Sequence, residues 1–227
     1  MNNTPTRRLA HLVWLLASFP IALVGVFFAT YPFTDQIGKR TLSISSLSAV
    51  QKSNIELAAR AINGVVLRPG EEFSFNKIVG PRTLARGYRP APSYLGPENP
   101  STVGGGVCLM SSAVYQVALD AGCKIDQRVP HLRTIKTVPA GLDATVWYGQ
   151  ADLRFKNTLN YPVQLNTTWG HQTVSVTMLG RPAAKPQEVK LERLVSRRAP
   201  NQIVVELLRK QGHAEDLISR DLYSVSQ

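Results

Sequence analysis

A helix with no polar face is the sequence feature that most restricts the fold of this chain. Residues 103–122 read VGGGVCLMSSAVYQVALDAG, and after the glycines Asp120 is the first ionisable acid or base other than Cys108 and Tyr115. Apolar side chains recur at helical spacing on both sides of the segment, so we expect it to be buried nearly all round. A helix of this kind needs other elements to cover it.

Strands are the expected partners of this helix. Four runs that are rich in β-branched and aromatic residues follow it, in ATVWYG, DLRFKN, YPVQLNTTW and QTVSVTMLG. Because strands follow helices without strict alternation, the sequence predicts an α+β domain over residues 48–180. In this domain the central buried helix packs on a mostly antiparallel sheet made mostly of residues 144–180.

Smaller elements are predicted on both sides of this core. SNIELAARAING is interpreted as a helix capped by Ser53 with Glu56, and VVLRPGEEFSFN as a hairpin. Residues 181–200 are basic and contain prolines, which is typical of a linker. Residues 201–227 suggest a C-terminal hairpin around Gly212.

The N-terminus predicts a membrane anchor. Arg7 and Arg8 precede an uncharged run, residues 9–34, that is longer than the roughly 20 residues of a spanning helix. The cations favour a cytoplasmic N-terminus (residues 1–8) and an exported remainder. The run lacks a good small-residue cleavage site, so an uncleaved single-pass signal-anchor is favoured over a cleaved signal. Residues 35–47 would follow as a linker or a first strand. The expected location is the cell membrane, with the C-terminal domain extracytoplasmic.

The charge of the chain restricts its partners. The net charge is +11 and the pI is near 10. Lys and Arg are scattered, without a basic block interleaved with aromatic residues, so no nucleic-acid partner is expected. A basic exported domain suits an anionic wall polymer or lipid headgroups instead.

Cys108 is the candidate nucleophile. At the start of a helix, the helix dipole and unpaired backbone amides stabilise a thiolate, and the amides of the glycine run could form an oxyanion pocket. His131 would act as the base, and Asp143 or Asp152 would orient it.

A structural role for this cysteine is the alternative. Cys is among the most buried residue types, and the glycines could serve close packing alone. His131 could bind a backbone carbonyl, and Asp143 is placed like a turn residue. No cofactor is expected. No metal is expected either, because the spacing of Cys108, Cys123 and His131 matches no zinc pattern.

Several ordered motifs resemble the VanW family. They are PGEEFSFNKIVGPRT, GGGVC leading to SSAVYQVAL, His131 with Arg133, and VPAGLDATVWYGQADLRFKNTLNYPV, over about residues 50–180. The resemblance implies a protein of the cell envelope, in a family named for an accessory protein of vancomycin-resistance clusters, but it implies no established reaction. The family commonly has Gln directly after the cysteine, where this chain has Leu109.

Two functions therefore remain open from the sequence. The first is a module that recognises peptidoglycan or another wall polymer, which the missing glutamine favours. The alternative is a Cys-dependent hydrolase or acyltransferase acting on peptidoglycan peptides, with Cys108, His131 and Asp143 as catalytic residues. The predicted ligand-binding residues are Gly104, Gly105, Gly106, Ser111, Ser112, Tyr88, Arg133 and Tyr148. The two functions differ in the position expected for the Cys108 sulfur, which lies either within hydrogen-bond reach of His131 in an open cleft or sealed in the core.

Overall fold

The computed structural model of the protein describes residues 33–93, 101–181 and 188–225. Within these ranges the fold is mostly antiparallel sheet with few helices. The helices are α1 (Ala49–Ile62), α2 (Phe75–Val79) and α3 (Val107–Asp120), with a 3₁₀ turn at Leu84–Arg86. The strands are β1 (Asp35–Ser43), β2 (Val65–Leu67), β3 (Glu72–Ser74), β4 (Pro90–Pro92), β5 (Ser101–Val103), β6 (Lys124–Gln127), β7 (Arg154–Lys156), β8 (Val163–Trp169), β9 (Thr173–Gly180), β10 (Val189–Ala199), β11 (Gln202–Gln211) and β12 (Ala214–Ser224).

Helix α3 lies at the centre of the core, as its sequence predicts. It packs against β1 and β9 of a four-stranded antiparallel sheet with the order β1-β9-β8-β2, while α1 packs on β8 and on α3 itself. Twelve of its fourteen residues are buried, and the two exceptions are Cys108 and Asp120, near its two ends. The thiol is therefore one of the few points at which this helix reaches the surface.

Fewer strands of the main sheet come from residues 144–180 than the sequence predicts. Its β8 and β9 come from that range, but β1 and β2 complete it. The segment ATVWYG is not a strand: it makes isolated bridges, from Thr145 to Val129 and from Trp147 to Ala151. The backbone of Ala144 in this segment is instead hydrogen-bonded to the buried hydroxyls of Ser111 and Ser112 of α3.

Two local predictions are wrong in detail. The turn at Gly70 forms, with a positive φ of 81°, but β2 pairs with β8 and β3 pairs with β7, so the predicted hairpin is absent. Stacking of Phe73 on Phe155, with ring centroids 4.7 Å apart, fixes the partner of β3. Helix α1 also begins earlier than expected, because Ser48 and Gln51 form the capping box.

The predicted linkers contain strands. Residues 35–43 form β1, which pairs with β9 along its length, as in the strand alternative for this segment. Residues 189–199, within the predicted linker 181–200, form β10 and extend the C-terminal hairpin to a three-stranded sheet, β10-β11-β12. This sheet contacts the main domain near Arg133, which bridges to Ser224.

Among the described residues, no helix is long and apolar enough to cross a membrane. The predicted cytoplasmic residues 1–8 and nearly all of the predicted signal-anchor, residues 9–34, lie outside the described part of the chain.

Candidate functional site

A cleft of about 550 Å³ opens where α3 begins. Its lining includes the glycine turn, the loop at residues 81–83, and residues 129–132 and 145–148. Cys108 and His131 both line this cleft. The cysteine is half-buried, so its thiol is neither sealed in the core nor freely exposed.

The three glycines are required by the backbone itself. Gly104 and Gly106 have φ angles of 87° and 98°, which side-chain-bearing residues rarely adopt. A Cβ on Gly105 would lie 2.2 Å from the carbonyl oxygen of Ala91. The run therefore allows β4 to approach the turn that carries Cys108 into the cleft.

Only some amides of this turn are available to a ligand. Those of Gly104, Gly105 and Val107 donate to backbone oxygens at 2.9–3.1 Å. Within the described ranges, no protein acceptor is found for the amides of Gly106 and Cys108, and both residues line the cleft. The predicted oxyanion pocket is thus reduced to these two donors.

His131 is fixed by Asp143. The imidazole Nδ1 lies 2.6 Å from Asp143 Oδ2, and the backbone amide of His131 donates to the same oxygen at 2.7 Å. Burial alone would lower the pKa of His131, but the hydrogen bond to Asp143 and the proximity of Cys108 outweigh it and raise the pKa to about 9. Asp143 holds the imidazole through Nδ1, which fixes the orientation of the ring. Cys108 shares the cleft with this imidazole, and its thiol donates to the Val146 carbonyl oxygen at 3.7 Å.

Asp143 is the centre of a buried polar network. Its Oδ1 accepts from Arg128 Nη2 at 2.8 Å and from the Tyr223 hydroxyl at 2.6 Å. Arg128 also contacts Asp221 of β12. Burial opposes ionisation of Asp143, but the His131 hydrogen bond and the Arg128 charge outweigh it and lower its pKa to about 2. The network therefore keeps the carboxylate charged and immobile.

The C-terminal sheet takes part in this network through Tyr223. Its hydroxyl accepts from Arg128 Nη2 at 2.9 Å and from the Gly141 amide at 2.8 Å, while donating to Asp143. We expect Tyr223→Phe to destabilise the protein by about 1–3 kcal/mol, because these buried groups lose a partner. Urea unfolding of wild type and variant measures the difference. A change below about 0.5 kcal/mol would mean that the hydroxyl contributes little.

The other predicted ligand-binding residues occupy different positions. Tyr148 lines the cleft and is 52% exposed, whereas Tyr88 is buried. Ser111 and Ser112 are buried and bind backbone: both donate to the Cys108 carbonyl, and Ser112 accepts from the Ala144 amide at 2.9 Å. They position the site and do not line it.

Two further predicted residues lie away from the imidazole. Arg133 is exposed and lies outside the cleft lining. Asp152, the alternative orienting carboxylate, accepts from Ser74 Oγ at 2.6 Å and from the Asn76 amide at 2.9 Å. Of the two acids, the structure therefore joins only Asp143 to His131.

The sequence interpretation did not identify the residues that hold Asp143. Arg128, Asp221 and Tyr223 carry no local motif, and two of them lie about 80 residues further along the chain. Arg128 lies only three residues before His131, and this proximity is the one local indication that it could contact the site. Among the described residues, no group of three or more His, Cys, Asp or Glu side chains is arranged to hold a metal ion.

Comparison with known proteins identifies the family. The model of the family described as VanW like protein matches residues 50–179. The chain belongs to the VanW family. That match includes Cys108, His131 and Asp143, but it ends before the C-terminal sheet that carries Tyr223.

Two curated relatives of this VanW-family chain are informative. The chain is 35% identical to uncharacterized protein YoaR of Bacillus subtilis over 173 residues, 76% of this chain and 57% of that protein. It is 31% identical to Vancomycin B-type resistance protein VanW of Enterococcus faecalis over 122 residues, 51% of this chain and 44% of that protein. The chain thus spans about half the length of these relatives. No solved structure gives a significant match.

Thiol alkylation distinguishes the two cysteines. Cys123 is fully buried, and burial raises its pKa to about 12, whereas Cys108 lines the cleft beside His131. We expect iodoacetamide to modify Cys108 in the native protein and Cys123 only after unfolding. Peptide mass spectrometry of native and urea-unfolded samples measures this. Equal, slow modification of both thiols in the native protein would contradict an open site.

The stability of the protein should depend on the charge of His131. Its folded pKa is raised from 6.5 to about 9, so its stabilising contribution is complete below pH 6.5 and is lost as pH rises towards 9. We expect the difference in unfolding free energy between wild type and His131→Gln to shrink over this interval. His171→Gln, at the exposed β8–β9 turn, is the matched control. A difference that stays constant from pH 6 to pH 9 would refute the expectation.

Proposed function

We propose that this protein is a cysteine acyl-transfer enzyme of the cell envelope, acting on peptide bonds of peptidoglycan. The observation that carries the proposal is the series Cys108, His131 and Asp143: the first two line the cleft, and the buried Asp143 holds the imidazole. A cysteine with a purely structural role has no need of an imidazole held by a buried carboxylate. This geometry outweighs the missing glutamine at Leu109, which by itself favours a recognition module.

The first chemical step forms an acyl-enzyme. The Cys108 thiolate attacks the carbonyl carbon of the peptide bond, and the negative charge moves to the carbonyl oxygen. The amides of Cys108 and Gly106 are the donors for that oxygen. The C–N bond then breaks as His131, protonated through its raised pKa, gives its proton to the leaving amine.

The second step releases the acyl group. Water or an acceptor amine approaches the thioester, and neutral His131 removes its proton as the new C–O or C–N bond forms. The C–S bond breaks and returns Cys108 to the thiolate, while His131 is again protonated. Water gives hydrolysis and an amine gives transpeptidation, so the accessibility of the cleft decides the product.

Two observations support the cell wall as the site of action: the name of a relative and the net charge of the chain. A relative is named as a vancomycin resistance protein, which suggests a connection to the cell wall. The net charge of +11 suits an anionic wall. Anchoring by the uncharged N-terminal run, with the domain outside the cell, belongs to the same proposal.

Recognition without turnover is the second candidate. Trp147 and Tyr148 line the cleft with 38% and 52% of their surfaces exposed, and aromatic rings of this kind bind sugars and peptides. In this case the Cys108 series would only shape the cleft.

Wall digestion separates the two candidates. The full-length chain in mild detergent is incubated with purified peptidoglycan, and the wall fragments are analysed by mass spectrometry. The proposal predicts new peptide termini or new cross-links with wild type and none with Cys108→Ala, which should still sediment with the wall. An unchanged fragment profile with wild type, together with equal sedimentation of both proteins, would support recognition alone.

A further inference from the structure

A second charged side chain shares the cleft with the thiol. Arg82 follows α2 and lines the cleft, and its Nη1 donates to Asn76 Oδ1 at 2.7 Å and to the Gly80 carbonyl at 2.9 Å. Its guanidinium carbon lies 5.8 Å from the centre of the Tyr148 ring. A Cβ built on Gly104 would lie 2.8 Å from the Cβ of Arg82. The stem and the head of Arg82 are thus both held in place.

The positive charge of Arg82 has no ionised partner of its own. Over the described ranges, no Asp or Glu forms a salt bridge with it, and its two bonded acceptors are neutral. Among its neighbours, Cys108 favours the charged form most, followed by Tyr88 and Asp152, and the Asp152 oxygens accept from Ser74 and Asn76. Burial, the largest influence, lowers the pKa of Arg82. A half-buried guanidinium that lacks a carboxylate partner has donors with which an external anion can pair.

We propose that Arg82 binds a free carboxylate of the substrate, so that the peptides processed at Cys108 end in a C-terminal carboxylate close to the scissile bond. This inference rests on the proposed function, since it names the substrate class of the same cleft. Arginine suits the task because its planar fork pairs with both oxygens of a carboxylate.

Binding of two matched peptides tests the inference. The probes are the synthetic stem pentapeptide of peptidoglycan as the free acid and the same peptide as the C-terminal amide. Titration calorimetry with full-length Cys108→Ala prevents turnover during the measurement. We expect the acid to bind at least about tenfold more tightly than the amide. Adding Arg82→Gln should abolish the difference, and Arg82→Lys should keep part of it.

Arg86→Gln is the matched control. Arg86 lies on the neighbouring 3₁₀ turn, is exposed and stands outside the cleft lining, so the preference for the acid should persist. Equal affinity for acid and amide, binding of neither peptide, or a preference that survives Arg82→Gln would overturn the inference.

Turnover by wild type separates this inference from the proposed function. Cleavage of acid and amide with equal kcat/KM would leave the enzyme proposal standing and refute the role of Arg82. A preference for the acid that depends on Arg82, without any turnover, would support Arg82 as the carboxylate-binding residue and refute catalysis.

Discussion

Cys108→Ala should lower kcat on a peptidoglycan peptide by about 10⁴-fold or more, because removal of the nucleophile eliminates the covalent route. The fold should be retained, since the side chain is small, half-buried and located at the start of α3. Turnover measured by liquid chromatography, together with a urea unfolding curve, tests both expectations.

Cys123→Ala is the matched control for this variant. Cys123 is buried in the same core beyond the end of α3, so its loss should affect stability and leave kcat nearly unchanged. Retention of activity in Cys108→Ala would exclude covalent catalysis by this thiol.

Asp143→Asn should destabilise the protein by about 3–5 kcal/mol. The side chain of Arg128 is 4% exposed, and the substitution removes one of the two carboxylates that balance its charge. It also places an amide group among donors from His131 and Tyr223. Chemical unfolding at neutral pH gives the free-energy difference.

Asp216→Asn is the control for the loss of a salt bridge. Asp216 pairs with Arg209 at 3.2 Å, but its side chain is 58% exposed, so the cost should stay below about 1 kcal/mol. If both variants lose a similar amount of unfolding free energy, the buried charge of Arg128 does not depend on Asp143 for its stability.

The position of the site could be predicted because it depends on local pattern. Three glycines before an apolar helix specify a turn with positive φ, and they specify which residue begins the helix. Cys108 is therefore placed by sequence alone. His131 and Asp143 could be proposed from their chemistry, but the choice between Asp143 and Asp152 depended on contacts distant in sequence.

The parts that could not be predicted depend on partners distant in sequence. The sequence of the turn at Gly70 does not reveal whether its flanking strands pair with each other or, as in the structure, enter separate sheets. Strand β10 has a largely exposed burial pattern, so it lacks the alternation that marks a strand. Tyr223 reaches Asp143 across 80 residues, and no periodicity near either residue indicates the contact.

Acyl transfer through Cys108 requires a covalent intermediate, which the mass of the protein during turnover can detect directly. Full-length wild type is mixed with the free-acid stem peptide, quenched in acid within seconds and analysed intact and after digestion. We expect an adduct equal to the acyl part of the peptide, located on Cys108 and released by neutral hydroxylamine. Cleavage of the peptide with no adduct on Cys108, or with the adduct on another residue, would contradict this expectation.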